Sequence, residues 1–424
     1  MKIGRKSVSL HKNMKEMKNL LTISVLLFLL CACRSSEQEV IRQTVIVYIS
    51  GENSLSGNIN NDLAELTSGS KSMQKDERLV AFVDNNSLPY IVAISDGERD
   101  TIKTFTEDFY ASDPEKFYEI ISWIEQKYPS AENNYGLVLW GHASGWIVSQ
   151  DTVASTASAR PRRAYGQDLG NNQSYGFGEK WMNITQMRRV LERLPKFRYI
   201  LADCCCFLTA ETAYELRNVT DYLIGSPAEI PAAGAPYHLI TTALFRKSDD
   251  FYKSIVDTYY DYYTDYFNSS SDVAFSFPYL QGHSVPLAVV DMKEMEGLAQ
   301  ATRNLLMAPD EYKTDSVAYF YNYDMPSLYD LGGVMKRNLT ADNFAAWKMA
   351  LDKAVPYKKF SAKWMSIYKS IQTALMNDSF LFDEETYTGL SIHIPQARYN
   401  FNPSYNAGLK SFEWYEAVGW NRFE

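Results

Sequence analysis

Short runs of almost continuous apolar residues recur along the chain, each followed by a stretch with helical spacing, and this alternation limits the fold more than any other feature. Residues 44–50 (TVIVYIS), 79–83, 90–94, 135–140 (YGLVLW), 199–203 and 222–226 read as strands. Residues 58–66, 113–127, 184–194 and 210–219 carry apolar side chains three and four apart, which predicts helices, with Asp113-Pro114 as a start signal. A strand that is apolar on both faces must be covered on both. The pattern therefore predicts an α/β fold with a mostly parallel sheet between helical layers. Ligands bind such sheets beyond the carboxyl ends of the strands.

The second half reads as more helical and aromatic. Residues 251–267 include the run YYDYYTDYF, residues 295–307 and 344–354 have amphipathic spacing, and residues 285–290 and 389–394 read as strands. The expectation is a catalytic α/β core over 44–240 and a smaller, helical, aromatic-rich C-terminal subdomain over 241–424 that completes the fold.

The extreme N-terminus reads as an export leader. Lys12, Lys15 and Lys18 precede the apolar run 20–30, which is too short to span a bilayer. The run closes on Leu30-Cys31-Ala32-Cys33, which resembles a bacterial lipobox. The resemblance implies removal of residues 1–32, acylation of Cys33, and residues 34–43 as a tether to the cell envelope, with the outer membrane as the expected location. Loss of the leader takes the net charge from −9 to −14. An acidic body of this kind disfavours nucleic acid and anionic lipid as partners. The membrane link is then the lipid itself, and the chain is expected to be a monomer.

Cysteine usage narrows the chemistry. Besides Cys31 and Cys33, the chain has only Cys204, Cys205 and Cys206, side by side. Adjacent cysteines bridge only with strain, so the cluster is no disulfide framework and points to a reactive thiol. With five His and no spaced Cys/His pairs, no zinc or other metal site is expected. No G-x-S-x-G or H-E-x-x-H motif occurs, which sets serine and metallohydrolases aside.

A thiol hydrolase needs a thiolate, an imidazole to exchange its proton, and donors for a tetrahedral oxyanion. His142 follows the strand-like run VLW in a Gly-containing turn, and Cys205 follows ILAD at the end of a second apolar run, before a helix. A helix N-terminus there would lower the thiol pKa and supply backbone donors.

The segment Asp203-Cys204-Cys205-Cys206-Phe207-Leu208, continuing Glu211-Thr212-Ala213-Tyr214-Glu215-Leu216, resembles the Asp-Ala-Cys-Leu-Met and Glu-x-Ala-Tyr-Glu-Leu blocks of the clostripain family of cysteine peptidases. Residues 139–146 are similar to that family's Leu-Trp-x-His-Gly-x-Gly-Trp block. Residues 44–56 resemble its first strand and turn, and residues 226–231 (SPAEIP) a segment bordering the substrate pocket; the likeness spans roughly residues 44–420. The resemblance implies the caspase-haemoglobinase α/β/α sandwich, Cys205 as nucleophile and His142 as base. It also implies cleavage of proteins or peptides after Arg or Lys. Ala143 stands where the family has Gly, and its N–H, with that of Cys205, is the expected oxyanion donor.

Asp203 lies two residues from Cys205 on a strand, hence on the same face, where a carboxylate can pair with a basic substrate side chain. The alternative is that it caps the following helix or holds backbone around Cys205. Asn53 is the only guess for a group orienting His142. Cys204 and Cys206 invite a redox role. The basic run Ala159-Arg160-Pro161-Arg162-Arg163 between base and nucleophile suggests self-cleavage after Arg162 or Arg163, against a plain surface loop. Nothing in the residues requires a cofactor. The family resemblance implies calcium as a candidate, with no D-x-D-x-D loop to locate it. A second reading, an impaired homologue binding peptides or glycans through the Tyr-rich region, is opposed by the intact His and Cys.

Overall fold

The structure is a computed structural model, and it describes residues 40–145, 164–170, 178–269, 282–322, 326–362, 383–384, 387–395 and 408–424. The leader, Cys33, Arg162 and Arg163 lie outside the described residues.

Fourteen strands are described. In chain order they are β1 (Gln43–Ser50), β2 (Glu77–Asp84), β3 (Tyr90–Ser95), β4 (Glu98–Thr104), β5 (Tyr135–Trp140), β6 (Tyr165–Asp168), β7 (Lys180–Met182), β8 (Phe197–Asp203), β9 (Thr220–Gly225), β10 (Leu287–Asp291), β11 (Tyr319–Asn322), β12 (Pro326–Asp330), β13 (Tyr357–Lys359) and β14 (Ser391–Ile392). Nine of them form one sheet in the order β13-β10-β9-β8-β5-β1-β2-β3-β4. The central five, β9-β8-β5-β1-β2, run parallel. Antiparallel strands flank them on both sides.

Among the helices, α1 (Ile59–Gly69), α2 (Pro114–Lys127), α3 (Ile184–Leu191), α4 (Ala210–Leu216), α5 (Tyr237–Leu244), α6 (Phe251–Ser269), α7 (Met295–Arg303), α8 (Leu331–Asn338), α9 (Ala341–Ala354) and α10 (Glu413–Ala417) divide between the faces of the sheet. The central strands alternate their side chains between two cores. Ile46, Tyr48, Leu137, Leu139, Ile200 and Ala202 pack with α2, α3, α4 and the C-terminal helices. Val45, Val47, Val138, Trp140, Tyr199 and Leu201 pack with α1, α5 and α6. Burial on both faces is why these strands are apolar throughout.

The C-terminal half is not a separate body: β10 and β13 extend the main sheet beyond β9. The polar strand β4, mostly exposed at the opposite edge, carries no apolar alternation and was not anticipated. Asp113 caps α2 as expected, accepting from the N–H groups of Glu115 and Lys116, with Pro114 in the first turn. Among the described residues, no helix is long and apolar enough to cross a membrane.

Candidate active site

The site grows from the register of β5 and β8. These strands are parallel neighbours in which Trp140 and Asp203 are Cα partners. His142 and Cys205 each follow that pair by two residues, so both leave the carboxyl edge of the sheet at the same level on adjacent strands. Neighbouring strands lie about 4.8 Å apart. The chain order reverses at the adjoining β1–β5 boundary, since β1 lies between β5 and β2. Such a switch point opens a crevice beyond the strand ends.

The two turns are tied together. Gly145, in the His142 turn, has φ +72, and a Cβ on it would lie 2.5 Å from the Cys206 carbonyl oxygen. Only glycine permits that approach. The strand-like segment after Arg163 holds the same turn from the other side: Gly166 N–H donates to His142 O at 2.8 Å and Ser144 N–H to Ala164 O at 3.0 Å. Between them, the Ala143 N–H makes no hydrogen bond to a described residue. Ala143 does not adopt a positive φ, so its Cβ is tolerated where glycine was expected.

Of the three thiols, Cys205 alone is partly exposed; Cys204 and Cys206 are buried. Burial pushes both flanking thiols well above the ordinary range, which disfavours the thiolate that redox chemistry needs. Cys206 takes φ +54, an unusual left-handed conformation for a non-glycine residue, and so turns the chain sharply just past Cys205.

Residues 226–235 wall this turn. Leu208 N–H donates to Ser226 O at 3.1 Å, and Cys206 N–H to Ala228 O at 2.8 Å. Cys205 Sγ lies 3.4 Å from Ile230 N, accepting its N–H, and 3.8 Å from Ile230 O. On the other flank, Ser391 of β14 donates its N–H to Leu208 O at 3.0 Å, so the C-terminal half helps to build the site. The anticipated helix N-terminus is not at the thiol. Helix α4 begins only at Ala210, and its first turn is capped by Thr209, whose hydroxyl accepts from Thr212 N–H. The N–H facing the sulfur is that of Ile230 instead.

His142 is held by a different residue from the one anticipated. Asn53 donates through Nδ2 to Ser50 O and Gln167 O, at 3.0 and 2.8 Å, and accepts Leu55 N–H. It shapes the loop after β1 and is occupied by backbone. Its neighbour reaches the ring: Ser54 Oγ lies 2.8 Å from His142 Nε2. The loop was legible from sequence, the residue within it was not.

Asp203 is buried on the α1/α5/α6 side of the sheet and fully engaged. Its Oδ2 accepts Tyr237 O–H at 2.6 Å and Ala235 N–H at 3.0 Å, and its Oδ1 accepts Tyr259 O–H at 2.9 Å. Gly234, at φ +65, lets the backbone pass close by, since a Cβ there would meet Oδ2 at 2.7 Å. The carboxylate thus anchors the 226–235 wall through Ala235 and Tyr237 and does not cap the helix that follows Cys205, which Thr209 caps. Burial raises its pKa, opposed by these three hydrogen bonds. Tyr259 and Tyr263 of the Tyr-rich helix α6 are buried, and Tyr263 O–H donates to Gly234 O at 2.7 Å. These tyrosines brace the site rather than offer a ligand surface.

A further group at this edge escaped the sequence. Carboxylate oxygens of Glu52, Asp84 and Asp108 lie within 4.8 Å of one another. Such an all-oxygen set suits a hard cation, and both oxygens of fully buried Asp84 lack a hydrogen-bond partner among the described residues.

A half-exposed thiol and an imidazole at adjacent strand ends of an α/β/α sandwich place the chain among the cysteine peptidases of caspase-like fold. More narrowly, the chain belongs to the clostripain family, whose profile matches residues 47–423. It is similar to a secreted C11 cysteine protease from Bacteroides thetaiotaomicron, solved with an irreversible peptide inhibitor. That likeness has 27% identity and a TM-score of 0.75 and covers 90% of this chain and 99% of that one. It is also similar to an inactive zymogen C11 protease from Parabacteroides distasonis, at 25% identity, TM-score 0.68, and coverage of 89% and 97%. No curated protein sequence matches the chain.

Proposed function

We propose that this cysteine peptidase is an exported, lipid-anchored endopeptidase that cleaves after Arg or Lys through a Cys205–His142 dyad. The observation that carries the dyad is the shared register of Trp140 and Asp203, which delivers His142 and Cys205 to one level of one edge.

The thiolate of Cys205 attacks the scissile carbonyl carbon while its proton resides on His142. Ser54 engages Nε2, so Nδ1 is the ring nitrogen that exchanges the proton with the thiol. The N–H groups of Ala143 and Cys205 receive the tetrahedral oxyanion. Collapse expels the amine, which takes the proton from His142, and leaves a thioester on Cys205. His142 then deprotonates water, which attacks the thioester and releases the acid product and the free thiol.

Support for a basic substrate residue is electrostatic. On one side of the site, burial and then the charges of Asp203 and Glu65 raise the pKa of Asp62, and burial and the charge of Glu65 raise that of Asp203. A cation entering that field relieves the repulsion. The path of export rests on the leader and lipobox-like Leu30–Cys33 sequence, with Cys33 as lipid attachment point, and the similar Bacteroides protease is described as secreted.

Self-cleavage after Arg162 or Arg163 fits the zymogen state of the Parabacteroides relative. The residues that follow, Ala164 to Gly166, are hydrogen-bonded to the His142 turn. Because β5 pairs with β8 across the cut, both fragments remain in one sheet.

The test is hydrolysis of matched peptides with Arg, Lys or an uncharged residue at the cleaved position, by wild type and by Cys205→Ala. Loss of all cleavage in the variant and a strong preference for Arg or Lys in the wild type are expected. Undiminished cleavage by Cys205→Ala would overturn the dyad, and equal rates on the uncharged peptide would overturn the specificity. N-terminal sequencing of the active enzyme decides processing: an uncut, fully active chain sinks it.

A further inference from the structure

Beyond His142, the carboxyl edge of the sheet leads to a groove that the peptidase chemistry does not use. From Cys205 the strands follow in the order β8-β5-β1-β2-β3-β4. Helix α1 packs on β3, while the edge strand β4 next to it is mostly exposed. Between helix and edge strand lies a groove of about 830 Å³, large enough to enclose several side chains. Its apolar lining is Leu63 of α1, Leu88 and Pro89 of the loop before β3, and Tyr90 and Val92 of β3. Leu88 is 50% exposed and follows the polar run Asn85-Asn86-Ser87. Arg99 of β4 is the one charged residue in the lining, and no acid among the described residues pairs with it.

In the proposed reaction, the leaving half of the substrate departs toward this groove. The 226–235 wall flanks Cys205 on its β9 side, where Ile230 N–H faces the sulfur. His142 stands on the opposite, β5 side. The leaving amine takes its proton from the imidazole, so the chain beyond the cleaved bond starts across β5 and β1. The rim of this path is continuous. Ser54 meets His142, and Asn86 Nδ2 donates to Ser56 Oγ at 3.2 Å, joining the loop after β1 to the loop that carries Leu88. From β8 to β3 is four strand spacings, about 19 Å at about 4.8 Å each, which an extended chain covers in about six residues.

We propose that this groove binds the leaving side of a protein substrate, taking an apolar side chain about six residues beyond the cleaved bond and a carboxylate shortly after it. Burial of the apolar side chain against Leu63, Leu88 and Val92 supplies the affinity. Arg99 supplies the preference for an acid, in a chain whose net charge of −9 otherwise repels one. The subsite rests on the peptidase reading, because Cys205 and His142 set the direction in which a substrate lies. It holds the substrate far from the reacting bond and equally in ground and transition states, so its occupancy shows in KM rather than in kcat.

The experiment uses the mature enzyme and three peptides of one length, each with a single Arg at the cleaved position. The first carries Leu at the sixth residue beyond it and Glu at the next three; the second has Ser for Leu, and the third Gln for Glu. The first should be cleaved with a KM about tenfold below that of the second and about threefold below that of the third, at similar kcat. Arg99→Glu should invert the choice between Glu and Gln, and Leu88→Ser should narrow the gap between Leu and Ser by about threefold. Both side chains are exposed, so neither change disturbs the core. Equal KM values for the three peptides, or an Arg99→Glu chain that still prefers Glu, overturn the subsite. The same peptides, fluorescently labelled, are titrated into Cys205→Ala and followed by anisotropy. Binding with this Arg99 dependence, but no cleavage of any peptide by the wild type, would sink the peptidase reading and spare the groove as a peptide site. Binding that depends on Arg99 without any difference in KM would assign the groove to a separate partner and overturn its role in substrate capture.

Discussion

Ser54 and His142 are joined across two strand-end loops, Oγ to Nε2 at 2.8 Å, so the ring proposed as the base is steadied by a residue from the loop after β1. The contact is at the surface, where a neutral hydrogen bond contributes about 1 kcal/mol. Ser54→Ala should therefore lower kcat by about three- to tenfold with little change in KM, and move the acidic limb of the kcat/KM pH profile. Ser54→Thr should restore most of both. An unaltered pH profile in the alanine variant would mean that the contact does not position the ring.

The three adjacent cysteines should separate cleanly. Native protein treated with iodoacetamide should be modified at Cys205 alone, because Cys204 and Cys206 are buried and their thiols are held protonated. Cys205→Ala should abolish cleavage. Cys204→Ala and Cys206→Ala should keep a titratable active thiol and lose about 1–2 kcal/mol of stability through lost packing. Labelling of two or three thiols in the folded chain, read by mass spectrometry, would contradict the burial.

What the sequence disclosed depends on whether a feature is local. The strands β1, β5 and β8 were legible because both faces of each are buried, and their boundaries fall within two residues of the apolar runs. His142 and Cys205 were legible because each sits just past such a run. The edge strands β4 and β13 were hidden, being polar or only half covered. The Asp203 clamp needs Tyr237 and Tyr259 from two different helices, and the acid cluster collects single residues from separate strand ends. Neither leaves a spacing signal in the chain.

Asp203 offers a direct separation of support from specificity. Asp203→Asn keeps the shape and one good acceptor but loses the charge that two tyrosine hydroxyls and a backbone N–H serve. Stability should fall by about 1–3 kcal/mol, measured by denaturant unfolding. If the charge also attracts the substrate's basic residue, the ratio of kcat/KM for Arg over uncharged peptides should drop at least tenfold. A stability loss with that ratio unchanged would leave Asp203 as the anchor of the 226–235 wall and nothing more.

Buried acids set the pH dependence of stability. Asp62 is 2% exposed, and its Oδ2 accepts Trp140 Nε1–H at 2.7 Å. Burial first, and then the charge of Asp203, push its pKa up to about 8. Glu125 is raised to about 8 by burial alone and Glu211 to about 7 chiefly by burial. An unfolded carboxyl titrates at about 4. Between that value and the folded pKa the native state binds more protons than the unfolded one, so stability is greatest in acid and falls as pH rises through this window. The unfolding midpoint should decline from about pH 5 to pH 8. Asp62→Asn retains an oxygen acceptor for Trp140 and has no proton to lose. It should flatten the decline by up to about 1.4 kcal/mol per pH unit, match the wild type near pH 5 within about 1 kcal/mol, and exceed it at pH 8. Parallel curves for the two proteins would show that Asp62 is already ionised in the folded chain.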